Sequence, residues 1–195
     1  MTQHVDVLGQ SVPLQRLTRD AYFALMDARA LPESGRVELI EGVLVPMSPS
    51  NSPHGRALFA VSAAIARGLP DGYEGASDVA LGLEVETVVA PDITIVPINF
   101  DYQNVDGSEI VLAVEIADSS LAKDLDTKSL IYARNGVREV WVIDLNGKVI
   151  HVFRHPEADA YRSHVEFDWT ERVTSEVLPT VSLKAVDVIG SASRD

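Results

Sequence analysis

The run EIVLAVEIA, Glu109–Ala117, restricts the fold more than any other stretch of the chain. It is apolar at nearly every position and offers no polar face to water. A strand of this kind belongs in the middle of a sheet covered on both sides. It nevertheless carries an acid, Glu115, inside the apolar run. The next stretch, DSSLAKDLDTKSLIYARNG, reads as a helix capped by Ser119 or Ser120 and stopped at Asn135–Gly136. Two further strands, VREVWVIDL and KVIHVFRH, are joined by Asn146–Gly147, a strong hairpin signal.

The remaining segments fit around that centre. TRDAYFALMDAR predicts a helix capped by Thr18, with Ala21, Tyr22, Leu25 and Met26 on one face. LPESG breaks the chain, and RVELIEGVLVPMS predicts two short strands turning at Glu41–Gly42. After the loop SPSNSP, Ser52 as cap and Pro53 at the first position predict a helix to about Arg67, with Leu58, Val61 and Ile65 buried. GLPDGYEG reads as a turn region, and VALGLEVE and APDITIVP as strands. From about Ala158 the tail predicts one or two edge strands and a short final segment. The expected fold class is α/β (α+β), a mixed central β-sheet flanked by helices, with additional β-hairpins. Residues 1–17 read as a loose N-terminal arm and 18–195 as one domain.

Composition narrows the function classes. Without cysteine, disulfides and thiolate metal sites are excluded. The N-terminal MTQHVDVLGQ lacks the basic and apolar segments of a leader, and the apolar runs are too short for a bilayer. A cytoplasmic location and no membrane partner are expected. A net charge of −13 opposes indiscriminate binding to nucleic acid.

Two carboxylates then need an explanation. Asp92 heads the strand ITIV and Glu115 lies inside the next strong strand. Acids on adjacent strands repel unless a proton or cation lies between them. Carboxylate oxygens suit Mg²⁺ or Mn²⁺, and such an ion activates water and steadies a phosphoryl transition state. Lys128 shares a helical stripe with Leu121, Leu125 and Tyr132, so it faces the sheet. Glu115 stands roughly 13 Å of strand before Ser119, and Lys128 roughly 13 Å of helix after it. A helix folded back on the strand brings both to one level. Plainer readings stand beside these: Asp92 as a turn residue, Glu115 paired with a buried arginine, and Lys128 bonded to Asp124.

The ordered segments VELIEG, SPSNSPH, APDITIV, VLAVEIADSS and DLDTKSLIYARNGVREVWVID resemble the Uma2 family, also called DUF820. Its members are classed as endonucleases with the PD-(D/E)XK restriction endonuclease-like fold. The resemblance covers roughly Thr18 to Phe153 and is most specific from Glu115 to Asp144. It implies that Asp92 is the aspartate of PD and Glu115 the acid of (D/E)XK. Together they would hold Mg²⁺ or Mn²⁺, with the backbone carbonyl of Ile116 as a further ligand. The motif's lysine position holds Ala117. In this family the lysine comes from the following helix, which here is Lys128. Glu38 matches the family's early glutamate, a ligand for a second ion or a water, with Glu41 at the turn as the alternative. His54 and Asp124 match positions often histidine and acidic in the family. A surface role for His54 and a structural pairing of Asp124 remain open. His4, His151, His155 and His164 lack metal-site spacing such as H-E-x-x-H, and Trp141 and Phe153 read as core or interface residues.

The resulting expectation is a metal-dependent endonuclease acting on DNA, assembled as a homodimer, with Asp92, Glu115, Lys128 and Glu38 as its catalytic residues. The alternative is an inactive nuclease-fold module that binds nucleic acid or protein. In a third reading, an ion does no more than neutralise the acidic pocket.

Overall fold

The computed structural model describes residues 4–31, 37–47 and 51–190. Residues 32–35 of the break expected at LPESG and 48–50 of the loop expected at SPSNSP lie outside the described residues.

The chain opens with a hairpin where a loose arm was expected: β1, His4–Val7, pairs antiparallel with β2, Gln10–Pro13. Helix α1, Arg19–Asp27, starts where Thr18 Oγ1 accepts the Ala21 N–H at 3.2 Å. Its buried residues are Tyr22 and Phe23, while Met26 is 39% exposed, so the apolar face is rotated from the one expected. Strands β3, Val37–Ile40, and β4, Val43–Pro46, join through Glu41 and Gly42, both at positive φ, the turn that suits a two-residue hairpin. Helix α2, Ser52–Gly68, is capped by Asn51, whose side chain accepts the His54 N–H, and not by Ser52. Its buried residues are Ala57, Val61, Ala64 and Ile65; Leu58 is only partly covered.

Strands β5, Tyr73–Ser77, β6, Leu81–Glu84, β7, Thr87–Val89, and β8, Ile93–Pro97, follow. A single 3₁₀ turn at Gly107–Glu109 leads into β9, Leu112–Ala117, buried at every position. The expected crossover helix has two parts: a π-helical segment, Lys123–Lys128, and then α3, Ser129–Arg134. Strand β10, Glu139–Asp144, turns into β11, Val149–Glu157, with Lys148 in the left-handed conformation in place of Gly147. The hairpin continues into β12, Ala160–Asp168. Strands β13, Arg172–Thr174, and β14, Ser182–Lys184, pair before the short α4, Ala185–Val188.

The central sheet has the order β12-β11-β10-β9-β8-β5, and β9–β10 is its parallel pair. The mixed sheet with helices and extra hairpins is therefore as expected. One face carries Leu112, Val114 and Ile116 of β9 into a core with Val61 and Ile65 of α2. The other carries Ala113 and Ala117 into a core with Ile131 and Tyr132 of α3 and with Leu81, Leu83 and Val89. A second sheet, β4-β3-β7-β6, lies over that face, and α1 packs on its far side through Tyr22, Phe23, Leu39 and Val88. Strand alternation thus sends Glu115 toward the crossover and the second sheet, not toward α2.

Candidate active site

Asp92 directly precedes β8. The β8–β9 ladder pairs Ile93 with Val114, Thr94 with Ala113 and Ile95 with Leu112. Extending that register by one residue sets Asp92 opposite Glu115, on one face of the sheet. Asp92 Oδ2 accepts the Ile116 N–H at 2.6 Å, which fixes the carboxylate at the mouth of the strand pair. His54, in the first turn of α2, places Nε2 3.2 Å from Asp92 Oδ1. The histidine is mostly buried against this acid and does not sit on an open surface.

Glu115 receives two donors on one oxygen. Lys128 Nζ lies 2.9 Å from Oε1, and the Tyr132 hydroxyl donates to the same atom at 2.5 Å. Among the described residues, no arginine takes the partner role considered from the sequence. Lys128 also lies 3.0 Å from Glu38 Oε1. Glu38 is fully buried on β3, accepts the Ala90 N–H at 3.1 Å, and meets Lys123 Nζ at 2.5 Å. The two lysines reach one carboxylate because they lie in the π-helical segment. Residues five apart diverge on an α-helix but come to a similar side when the bonding is i→i+5. The Ser129 N–H bonding back to Asp124 O shows that geometry.

Asp124 is buried and accepts the Ser120 hydroxyl at 2.5 Å, so its direct partner is Ser120 and its link to Lys128 is through the field. Ala117, at the usual lysine position, packs in the apolar layer. Glu41 stays at its turn, 3.6 Å from Arg134 Nη1 and away from this cluster. Asn51 donates to Asp118 Oδ2, tying the start of α2 to the end of β9. Asn146 donates to the Asp118 carbonyl at 2.6 Å from the β10–β11 turn. Glu38, His54, Asp92, Glu115, Ile116, Asp124 and Lys128 line one cleft of about 340 Å³.

The electrostatics follow from burial. Desolvation pushes the Glu115 carboxyl up to about 8; Lys128 opposes this, while Asp124, Asp92 and Glu38 add to it. Burial acts against the Lys128 ammonium, but Glu115, Glu38 and Asp124 outweigh it and hold the proton more tightly than on a free lysine. Burial also disfavours ionised Glu38, yet Lys128, Lys123 and the Ala90 N–H bring its pKa below the ordinary value. Desolvation, with Glu115 and Glu38, keeps Tyr132 a neutral donor.

The donor set fits a hard divalent cation. Glu115 is held ionised at neutral pH only if more positive charge arrives, and a cation beside it does that. Among the described residues, no three side-chain ligands of this cleft lie within 4.8 Å of one another. Two carboxylates with waters filling the other positions are a usual setting for Mg²⁺.

Reading the sequence passed over Lys123 as a partner of Glu38, Tyr132 as a donor, and the links through Asn51 and Asp118. Lys123 carries no sequence signal as long as the segment is taken for an α-helix. It also passed over a cross-strand cluster, His151, His164 and Glu166. These residues have no linear spacing motif; the β11–β12 register brings them together.

The fold is a mixed central sheet with Asp92 and Glu115 on neighbouring strands and a helical crossover that carries Lys128. The structure is similar to the crystal structure of "a putative nuclease belonging to DUF820 from Anabaena variabilis ATCC 29413", with a TM-score of 0.68, 17% identity, and coverage of 89% of this chain and 97% of that chain. The Uma2 family model, described as "Putative restriction endonuclease", matches residues 20–186, and the chain belongs to that family. A search of curated proteins gives no significant match. No helix among the described residues is long and apolar enough to cross a membrane.

Proposed function

We propose that the chain is a divalent-metal-dependent endonuclease that hydrolyses phosphodiester bonds in DNA. The observation that supports this best is Lys128 at 2.9 Å from Glu115, in the same cleft as Asp92 bonded to the Ile116 amide. Asp92 and Glu115, with the Ile116 carbonyl, would hold Mg²⁺ or Mn²⁺. Bound there, the cation would make water a better nucleophile and offset phosphoryl charge.

The chain's own groups do the rest. Lys128 keeps its proton, so it acts as a charged donor that orients the attacking water or a phosphate oxygen, not as a base. Glu38 and Tyr132 position Lys128 and Glu115; neither needs to touch the substrate. Hydrolysis adds water across one P–O bond and leaves a phosphate monoester and a hydroxyl, the leaving oxygen taking up a proton. A homodimer would present two such clefts, one to each strand of a duplex.

The net charge of −13, with Lys128 already held by Glu38 and Glu115, favours one competing reading. In it, the fold binds a protein or nucleic acid without cutting. Nicking of supercoiled plasmid in Mn²⁺, compared with Asp92→Ala and Lys128→Ala proteins, separates the two. The nuclease reading expects cutting by the native chain and a loss of roughly 10²-fold or more in each variant. Equal cutting by all three, or none by the native chain, removes it.

A further inference from the structure

We propose that His151, His164 and Glu166 form a binding site for a Zn²⁺-class transition-metal ion on the β11–β12 hairpin, separate from the acidic cleft. The register places His151 opposite Glu166 and Phe153 opposite His164, so the three candidate ligands share one face of the hairpin. His151 Nδ1 is 3.2 Å from His164 Nε2 and 3.5 Å from Glu166 Oε1. One ligand atom from each residue falls within a common 4.8 Å. Ligands at 2.0–2.1 Å from a tetrahedral zinc stand about 3.3 Å from one another, so the two short separations already have the spacing of a coordination shell.

The rings are held in place. His164 stacks on Phe153 with centroids 4.2 Å apart and planes 11° off parallel, and Phe153 is itself buried in the core. His151 is 8% exposed. Its burial favours the neutral ring, which is the form that binds a metal, although Glu166 and Asp144 pull the other way. Glu166 is 63% exposed in its side chain, so an ion has an open approach and room for a water as fourth ligand. Two imidazoles and one carboxylate select zinc or a neighbouring transition metal over Mg²⁺.

The placement gives the site a purpose. β12 is the outermost strand of the central sheet, and the ion would fasten it to β11 through side chains of both. The row Glu115–Val142–His151–Glu166 runs straight across the sheet. The bound ion, held between β11 and β12, would therefore sit on the same sheet face as the acidic cleft, two to three strand spacings or roughly 12 Å from Glu115. This inference does not depend on the nuclease reading.

The test uses the full chain without a histidine tag, stripped with chelator and titrated calorimetrically with Zn²⁺ and, separately, Mg²⁺. The native chain and Asp92→Asn are expected to bind one Zn²⁺ at a tight site that Mg²⁺ does not fill. His164→Phe keeps a ring over Phe153 but removes the ligand, and Glu166→Gln weakens the third. Both are expected to bind Zn²⁺ at least about tenfold more weakly. Both replaced residues are exposed. Their chelated melting temperatures should match the native one, and Zn²⁺ should raise the native and Asp92→Asn values by more than it raises theirs. Native-like Zn²⁺ affinity in His164→Phe, loss of the tight site in Asp92→Asn, or no Zn²⁺ binding by the native chain would overturn the proposal.

Discussion

Lys128 Nζ lies 2.9 Å from Glu115 Oε1, joining the crossover to the central strand inside the fold. The same ammonium reaches Glu38 on β3, so one charge stitches two sheets together. Its loss should be felt in stability as well as in catalysis.

Lys128→Met leaves Glu115 and Glu38 buried without their shared cation. Breaking a buried pair in this way costs about 3–5 kcal/mol. Urea unfolding should show that loss for Lys128→Met and a clearly smaller one for Lys128→Met combined with Glu115→Gln. Additive losses in the double variant would mean that the pair is not coupled.

Glu115 sets a pH dependence in the metal-free protein. Burial raises its folded pKa to about 8 from the ordinary 4.5. Between those values the folded state binds more protons than the unfolded state, so stability falls as pH rises. In chelator, the native chain should lose stability from about pH 5 to 8 relative to Glu115→Gln. The lowered pKa of Glu38 acts below its ordinary 4.5 and leaves that window untouched. Parallel stability curves for the two proteins would remove the effect assigned to Glu115.

Mn²⁺ should stabilise the fold through Asp92 and Glu115. At a hundredfold excess over Kd the gain is about 2.7 kcal/mol, a melting shift of roughly 5–10 °C for a chain of this size. Asp92→Asn should reduce the shift measured with Mn²⁺. An unchanged shift would place the ion elsewhere.

Gly68 ends α2 under the β13–β14 connection. A Cβ there would stand 2.2 Å from the Thr180 carbonyl oxygen, backbone that has little room to give. Gly68→Ala is expected to destabilise by about 1–3 kcal/mol in urea unfolding. Gly55, in the first turn of the same helix, has nothing within 4 Å of such a Cβ. Gly55→Ala should be neutral or stabilising by up to ~1 kcal/mol. Equal effects at both positions would point to helix propensity alone.

Much of this arrangement is legible in the sequence, because β9 and the helix after it are specified locally. The apolar run fixes a buried strand, and counting residues from Ser119 in both directions sets Lys128 level with Glu115. What escapes is set by distant partners. Tyr73–Gly75 reads as the end of a turn region because the glycines around it hide a strand, Tyr73–Ser77, that pairs with the distant β8. Asn51 outcompetes Ser52 as the cap, a choice between good cappers that local sequence does not decide. Lys123 joins Glu38 only because the segment is π-helical. The histidine cluster depends on the β11–β12 register, which fixes pairs that are far from any linear motif.

The parity of β9 has one more consequence. Its neighbours Val114 and Ile116 face α2, while Glu115 faces the crossover. A slip of one residue in the pairing would drive the carboxylate into the aliphatic layer and strand Lys128 and Glu38 without their common partner. The acid that serves the cleft therefore also proofreads the assembly of the sheet: a misaligned β9 is penalised far more heavily than an all-aliphatic strand would be.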